Sequence, residues 1–218
     1  MTYLAPLKLA VVDVEGTMRL HYWPKNDLMK GPKLPAERLA LLAPSAANAN
    51  RGGERIIATA LNNRNGTVLE GKLPSCKPGA IIFKGGASPP VDYEVAVDAA
   101  LVFSISTVAA NGTRTLLDRF DRSIPVPPTT GSDAAGGDAG GCTFKLLLRG
   151  SMVELYINDV LTLPFALPST ITPGGYAQDG GWAEGVRAPS VTVGLSGAWT
   201  DAKLEGWTMG LAALFPQV

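Results

Sequence analysis

Histidine occurs once in these 218 residues, at position 21, and cysteine twice, at 76 and 142. A lone histidine, with no cysteine or carboxylate cluster at ligand spacing, supplies no metal site, and any Ser-His-Asp arrangement would have to use His21. Beside Tyr22 and Trp23, His21 reads as a structural residue. Two cysteines far apart in sequence are too few for a disulfide framework. They read as independent thiols, with a single disulfide left open if the fold brings them together. Charge of either sign is not in excess: 19 acidic and 19 basic residues give a formal net charge of zero, and no basic block supplies the electrostatic footprint that nucleic acid requires. No apolar run approaches the roughly 20 residues that span a bilayer, and the N-terminus lacks a signal-peptide core, so the chain is expected to be soluble, without membrane contact or export label. Gly-x-Ser-x-Gly, a phosphate-binding loop and a dinucleotide fingerprint are also absent, and no cofactor is expected.

What is present is a core-forming supply of apolar residues, 46% of the chain, arranged in short runs. The clearest stretch runs from Phe144 to Phe165. A two-residue turn at Gly150-Ser151 sets Leu148 opposite Val153, Leu146 opposite Leu155 and Phe144 opposite Ile157, one wholly apolar face. The other face carries Lys145 with Tyr156 and Leu147 with Glu154, the alternation of a half-buried antiparallel pair. For the next turn two registers compete. Asn158-Asp159 suits a two-residue type I′ turn, whereas a three-residue loop ending at Val160 pairs Leu155 with Leu163 and Val153 with Phe165. The match of faces favours the longer loop.

Elsewhere, residues 7–14 and 17–23 read as a hairpin around Glu15-Gly16, residues 24–35 as loop, and 35–42 as a turn or two of helix. Strands follow at 55–61, 67–72, 79–84, 92–97, 100–108 and 113–120, and closing strands at 191–195 and 202–209. Asn65-Gly66-Thr67 and Asn111-Gly112-Thr113 are glycosylation sequons that turn formation alone explains. Residues 124–141 are Pro/Gly/Ala-rich and read as a flexible surface loop within one domain spanning 1–218. Many short strands with regular turn signals predict an all-β, two-layer antiparallel sandwich with little helix.

Ser151, Val153, Glu154, Tyr156, Asn158 and Asp159 resemble the Ser-x-Val-Glu-x-Phe-x-Asn-Asp-Gly signature in the C-terminal β-sandwich of family 32 glycoside hydrolases, the invertase, inulinase and levanase group. Arg149 and Val160 depart from the Asp and Gly usual there. Leu117-Asp118-Arg119 with Ser123 is similar to the family's Leu-x-x-Asp-Arg-x-x-Ser segment. Pro6-Leu7-Lys8 with Glu15 to Leu20 is similar to the strand and hairpin that open the sandwich. The resemblance implies a concanavalin or lectin-like jelly roll, with Asp118, Arg119, Ser151, Glu154, Tyr156, Asn158 and Asp159 in structural roles.

It also implies what the chain does not do. Family 32 enzymes cleave with a carboxylate nucleophile and a carboxylic acid carried by a separate five-bladed propeller, in Asn-Asp-Pro-Asn-Gly, Arg-Asp-Pro and Glu-Cys segments. None occurs here, so no catalytic residue carries over. The resemblance implies a non-catalytic module that supports a propeller missing from this chain, or contributes homo-oligomer contacts, and that is extracellular if its parent enzyme is secreted. The alternative is a free-standing lectin-like carbohydrate-binding module. For that role Tyr176, Asp179 and Trp182 offer an aromatic platform with a hydrogen-bonding carboxylate, whereas Trp23, Trp199 and Trp207 read as packing residues.

Overall fold

Apolar runs broken every eight to twelve residues by glycine, proline or asparagine leave the backbone little alternative to short strands, and the computed structural model is almost all strand. It describes residues 6–13, 15–42, 53–58, 61–62, 66–73, 76–85, 91–123, 141–149, 152–167 and 190–210. The first strands are β1 (Lys8–Val12), β2 (Met18–Tyr22), β3 (Lys30–Lys33), β4 (Leu41–Leu42), β5 (Arg55–Ile57) and β6 (Leu61–Asn62). Longer ones follow: β7 (Thr67–Leu73), β8 (Gly79–Phe83), β9 (Val91–Val97), β10 (Val102–Ala109), β11 (Arg114–Ser123), β12 (Cys142–Arg149), β13 (Met152–Ile157) and β14 (Val160–Ala166). The chain closes with β15 (Ser190–Val191), β16 (Val193–Gly197) and β17 (Lys203–Met209).

Two antiparallel sheets form the sandwich. One has eight strands in the order β1-β2-β14-β13-β12-β7-β17-β3, the other seven in the order β11-β10-β9-β8-β16-β5-β4, and β6 and β15 form a separate two-stranded ladder. Between the sheets Phe144, Leu146, Leu148, Val153, Leu155 and Ile157 meet Ile81, Phe83, Val95, Phe103 and Leu195, all buried in one cluster. The ring of Phe144 lies over Gly71, directly across the ladder, where any Cβ would collide with it. The same ring stacks on Trp199, 5.4 Å away and within 7° of parallel.

Differences from the sequence reading are local. Residues 24–35 are not simply loop: a 3-10 turn covers Pro24–Met29, and β3 follows, held by β17 rather than by any apolar alternation of its own. Residues 35–42 make one 3-10 turn at Ala36–Arg38 and then β4. Cys76 and Cys142 are not independent thiols but a disulfide, with Cα atoms 5.0 Å apart. The pairing of β7 with β12 sets Cys142 opposite Leu73, and the chain leaving β7 passes close enough to bridge. Residues 124–140 lie outside the described residues.

The competing registers after β13 are both partly realised. Asn158 and Asp159 have φ of 50° and 62°, the left-handed pair of a type I′ turn, and Ile157 pairs with Val160 and Tyr156 with Leu161. Between Leu155 and Tyr156 the register then slips by one residue, so Leu155 pairs with Leu163 and Val153 with Phe165. The expected three-residue loop is therefore a two-residue turn followed by a β-bulge at Thr162, whose hydroxyl donates to the Leu155 carbonyl at 2.8 Å.

Candidate functional site

The hairpin bearing the signature residues has a second buried face. Glu154 and Tyr156 alternate with the core residues of β13, on the side expected to be polar and half exposed, yet Tyr156 is fully buried and Glu154 is 7% exposed. The expectation fails because Tyr22 and Met29, from β2 and the 3-10 turn after it, lie over this side with Val68, Leu147 and Met209, joined by Leu161 and Trp207. Strand alternation tells which residues share a face. It does not tell what covers that face.

Glu154 accepts from Lys8 Nζ at 2.8 Å and from the Tyr156 hydroxyl at 2.7 Å, tying β1 to β13 across two intervening strands. Tyr156 meets Tyr22 edge-on, 5.3 Å between centroids, and the Tyr22 hydroxyl donates to Asp27 at 2.9 Å. Lys30 bridges Asp27 at 2.9 Å and Glu70 at 2.8 Å. Its Nζ also lies 4.3 Å from the Trp207 ring centroid. Lys145 pairs with Asp159 at 2.6 Å and sits 4.1 Å from the Tyr22 ring. Burial, reinforced by Asp27 and Glu154 respectively, pushes the Tyr22 and Tyr156 phenols well above the ordinary tyrosine range. Burial would raise the Asp27 carboxyl, but hydrogen bonds from Lys30 and Tyr22 outweigh it and hold it low. Burial likewise opposes the charge on Lys30, and Glu70 and Asp27 together overcome it and raise that ammonium.

The other signature residues occupy distinct places. Asn158 Oδ1 accepts from the Thr143 amide at 3.0 Å, so the turn is pinned to the start of β12. Asp118 and Arg119 are exposed on β11 of the seven-stranded sheet. Asp118 accepts from the Arg119 amide at 2.8 Å, and the Arg119 guanidinium lies 3.1 Å from Asp98. The motifs containing Glu154 and Asp118 therefore sit in different sheets. Ser151, Tyr176, Asp179 and Trp182 lie outside the described residues. His21 is half-buried in β2, and no group of three or more His, Cys, Asp or Glu side chains able to hold a metal ion occurs among the described residues.

A second polar cluster, on the outer side of the seven-stranded sheet, escaped the sequence reading. Lys84 lies 2.7 Å from Asp92 and 3.0 Å from Glu54, both buried. Gly194 makes room for Glu54, because a Cβ there would stand 2.5 Å from Oε1. Next to this, Arg114 grips Glu94 with two hydrogen bonds of 2.9 and 3.0 Å, and Glu94 in turn raises the guanidinium. The signal was available in Val-Asp-Tyr-Glu-Val-Ala-Val, which puts Asp92 and Glu94 on one side of β9 and Tyr93, Val95 and Val97 on the other. Two open grooves also lie on the described surface. One, of about 370 Å³, is lined by Leu39, Arg55, Thr200 and Leu204, and one of about 350 Å³ by Lys72, Cys142 and Lys203; Asp201 is the only acid on either wall.

This architecture defines an all-β, two-layer antiparallel sandwich. No family model and no curated protein matches the chain. Among solved structures it is similar to sheep galectin-11 in complex with glycerol, at 9% identity and a TM-score of 0.39, covering 71% of this chain and 96% of that one. It is also similar to a GH32 β-fructofuranosidase of Bombyx mori, at 10% identity and a TM-score of 0.43, with 90% of this chain and 31% of that one covered. A sucrose-6-phosphate hydrolase from Lactobacillus gasseri gives 14% identity and a TM-score of 0.43, covering 93% of this chain and 33% of that one. The chain thus spans about a third of the length of either hydrolase.

Proposed function

We propose that this chain is a single, non-catalytic β-sandwich module that accompanies and supports a separate family 32-like catalytic propeller. The observation that carries the reading is the state of the signature hairpin. Its described residues are committed to holding the eight-stranded sheet: Glu154 and Tyr156 to each other and to Lys8, and Asn158 and Asp159 to the turn. Double-displacement glycoside hydrolysis needs two carboxyl groups roughly 5–5.5 Å apart across the scissile bond, one of them kept protonated. The buried carboxylates Glu54, Asp92, Glu94 and Glu154 are each instead taken up in an ion pair with a lysine or arginine at 2.7 to 3.0 Å, an arrangement that holds the sheets and does not flank a substrate bond.

The test is a hydrolysis assay of the isolated chain on sucrose, inulin and levan, followed by its addition to a propeller that carries the three acidic segments. We expect no turnover from the chain alone and a higher melting temperature of the propeller in its presence. Turnover by the chain alone would overturn the reading. Fructan binding that Trp182→Ala abolishes, with no effect on any propeller, would replace it with that of a free-standing lectin-like module.

A further inference from the structure

Of the eleven large apolar side chains left exposed among the described residues, six lie between Leu7 and Leu20, on or just before the first hairpin. Val12 is 66% and Met18 68% exposed, and their cross-strand pairing puts them side by side on one face with Leu20. On the opposite face Leu9 and Val11 are 42% and 40% exposed. β1 is also the terminal strand of its sheet, with no described strand beyond it. Among the described residues it therefore offers one edge of backbone groups that no strand pairs, with apolar side chains above and below, the arrangement that recruits another strand.

The other edges of the sandwich are guarded. At the far side of the same sheet, β3 reads Lys-Gly-Pro-Lys, a proline and two lysines in four residues. In the second sheet, β11 carries Arg114 and Arg119 and its pairing with β10 is broken by two register shifts, while β4 is only two residues long. Lysine, proline, bulges and shortness are the devices by which sheets refuse edge-to-edge contact. Residues 9–12 of β1 have none of them, and their pairing with β2 runs in unbroken register.

We propose that β1 is an interface for a second copy of this chain, pairing antiparallel with its own counterpart about a two-fold axis through Ala10. In that register Leu9 meets Val11 of the other copy, Ala10 meets Ala10, and the aliphatic stem of Lys8 lies beside Val12. No like charges face each other, and the cations of β1 and β2 are already paired within each chain, Lys8 with Glu154 at 2.8 Å and Arg19 with Asp13 at 2.8 Å. The two eight-stranded sheets become one continuous sheet. Because the two-fold consumes the unguarded edge of both copies, assembly closes at the dimer and does not run on into fibres. The proposal does not depend on the chain being a hydrolase module.

Sedimentation velocity on the 218-residue chain over about a hundredfold range of concentration is expected to show a monomer of 22.7 kDa giving way to a species of twice that mass. Val11→Lys should hold the mass at the monomer value with an unchanged circular dichroism spectrum, whereas Leu116→Lys, on a guarded edge, should leave dimerisation intact. The axis is tested separately. With both native cysteines in a disulfide, Ala10→Cys adds the only thiol, and across an antiparallel ladder the two Cα atoms would be about 4.5–5.5 Å apart, within bridging distance. Oxidation should convert Ala10→Cys to a covalent dimer. A chain that stays monomeric throughout, a dimer that survives Val11→Lys, or a dimer that Ala10→Cys cannot cross-link would overturn the proposal. None of these outcomes bears on the hydrolysis assay.

Discussion

Glu154 shows how much a single side chain carries in the outer cluster. Its carboxylate satisfies both a lysine and a tyrosine, so truncation strands two donors in a largely dry site. With the side chains of Lys8 and Glu154 17% and 9% exposed, Glu154→Ala should cost about 2–3 kcal/mol, seen as a melting temperature lower by roughly 5–10 °C. Adding Lys8→Met should recover part of the loss, because the stranded ammonium is then gone. The neighbouring phenols give a prediction at the alkaline end. Tyr22 and Tyr156 hold their protons more tightly folded than unfolded, so their contribution is complete below about pH 10 and fades as pH climbs above it, where the unfolded chain has released protons that the folded chain retains. Absorbance titration at 295 nm should show a tyrosinate component that appears only as the protein unfolds, and Tyr22→Phe or Tyr156→Phe should each diminish it.

The turn and bulge between β13 and β14 show what local sequence dictates and what it leaves to packing. Asn-Asp chemistry governs the two turn residues, and the demand that Leu161 join the outer cluster while Phe165 reaches the core, 5.6 Å from Phe83, governs everything beyond them. Thr162 is the spare residue that reconciles the two. Its deletion would give a regular hairpin with the same pairs, losing about 1 kcal/mol for the bond to Leu155, whereas deleting Leu161 puts threonine into the outer cluster and should cost at least about 1 kcal/mol more. Urea denaturation of both variants checks the order. The hairpin at 144–157 was legible to the residue, since its two faces admit one register. The burial of Glu154 was not, because no parity rule shows that Tyr22, on a strand of the first hairpin, comes to lie beside β13, and Met29 comes from a stretch whose proline and lysines read as loop. β3 was equally invisible, a strand whose pairing is imposed by β17. Asp92 and Glu94 could be placed on one face by parity, but their cations, Lys84 just after β8 and Arg114 on β11, come from parts of the chain that only the folded sheet brings alongside.

At the scale of the whole molecule one covalent staple ties β12 to the connection that leaves its neighbour β7. The disulfide closes 66 residues, for which loop entropy alone is worth about 4 kcal/mol, so reductant, or Cys76→Ser with Cys142→Ser, should shift the urea midpoint downward by the equivalent of that amount or less. Where it is placed matters beyond its strength. The chain it encloses contains β8, β9, β10 and β11, four consecutive strands lying side by side at one end of the seven-stranded sheet, and it leaves and re-enters beside the neighbours β7 and β12 of the other. Half a sheet is thus lassoed at its neck. A protease that severs the backbone once anywhere from Lys77 to Gly141 sets no fragment loose, and the nicked protein would run as one band on a non-reducing gel and as two after thiol treatment.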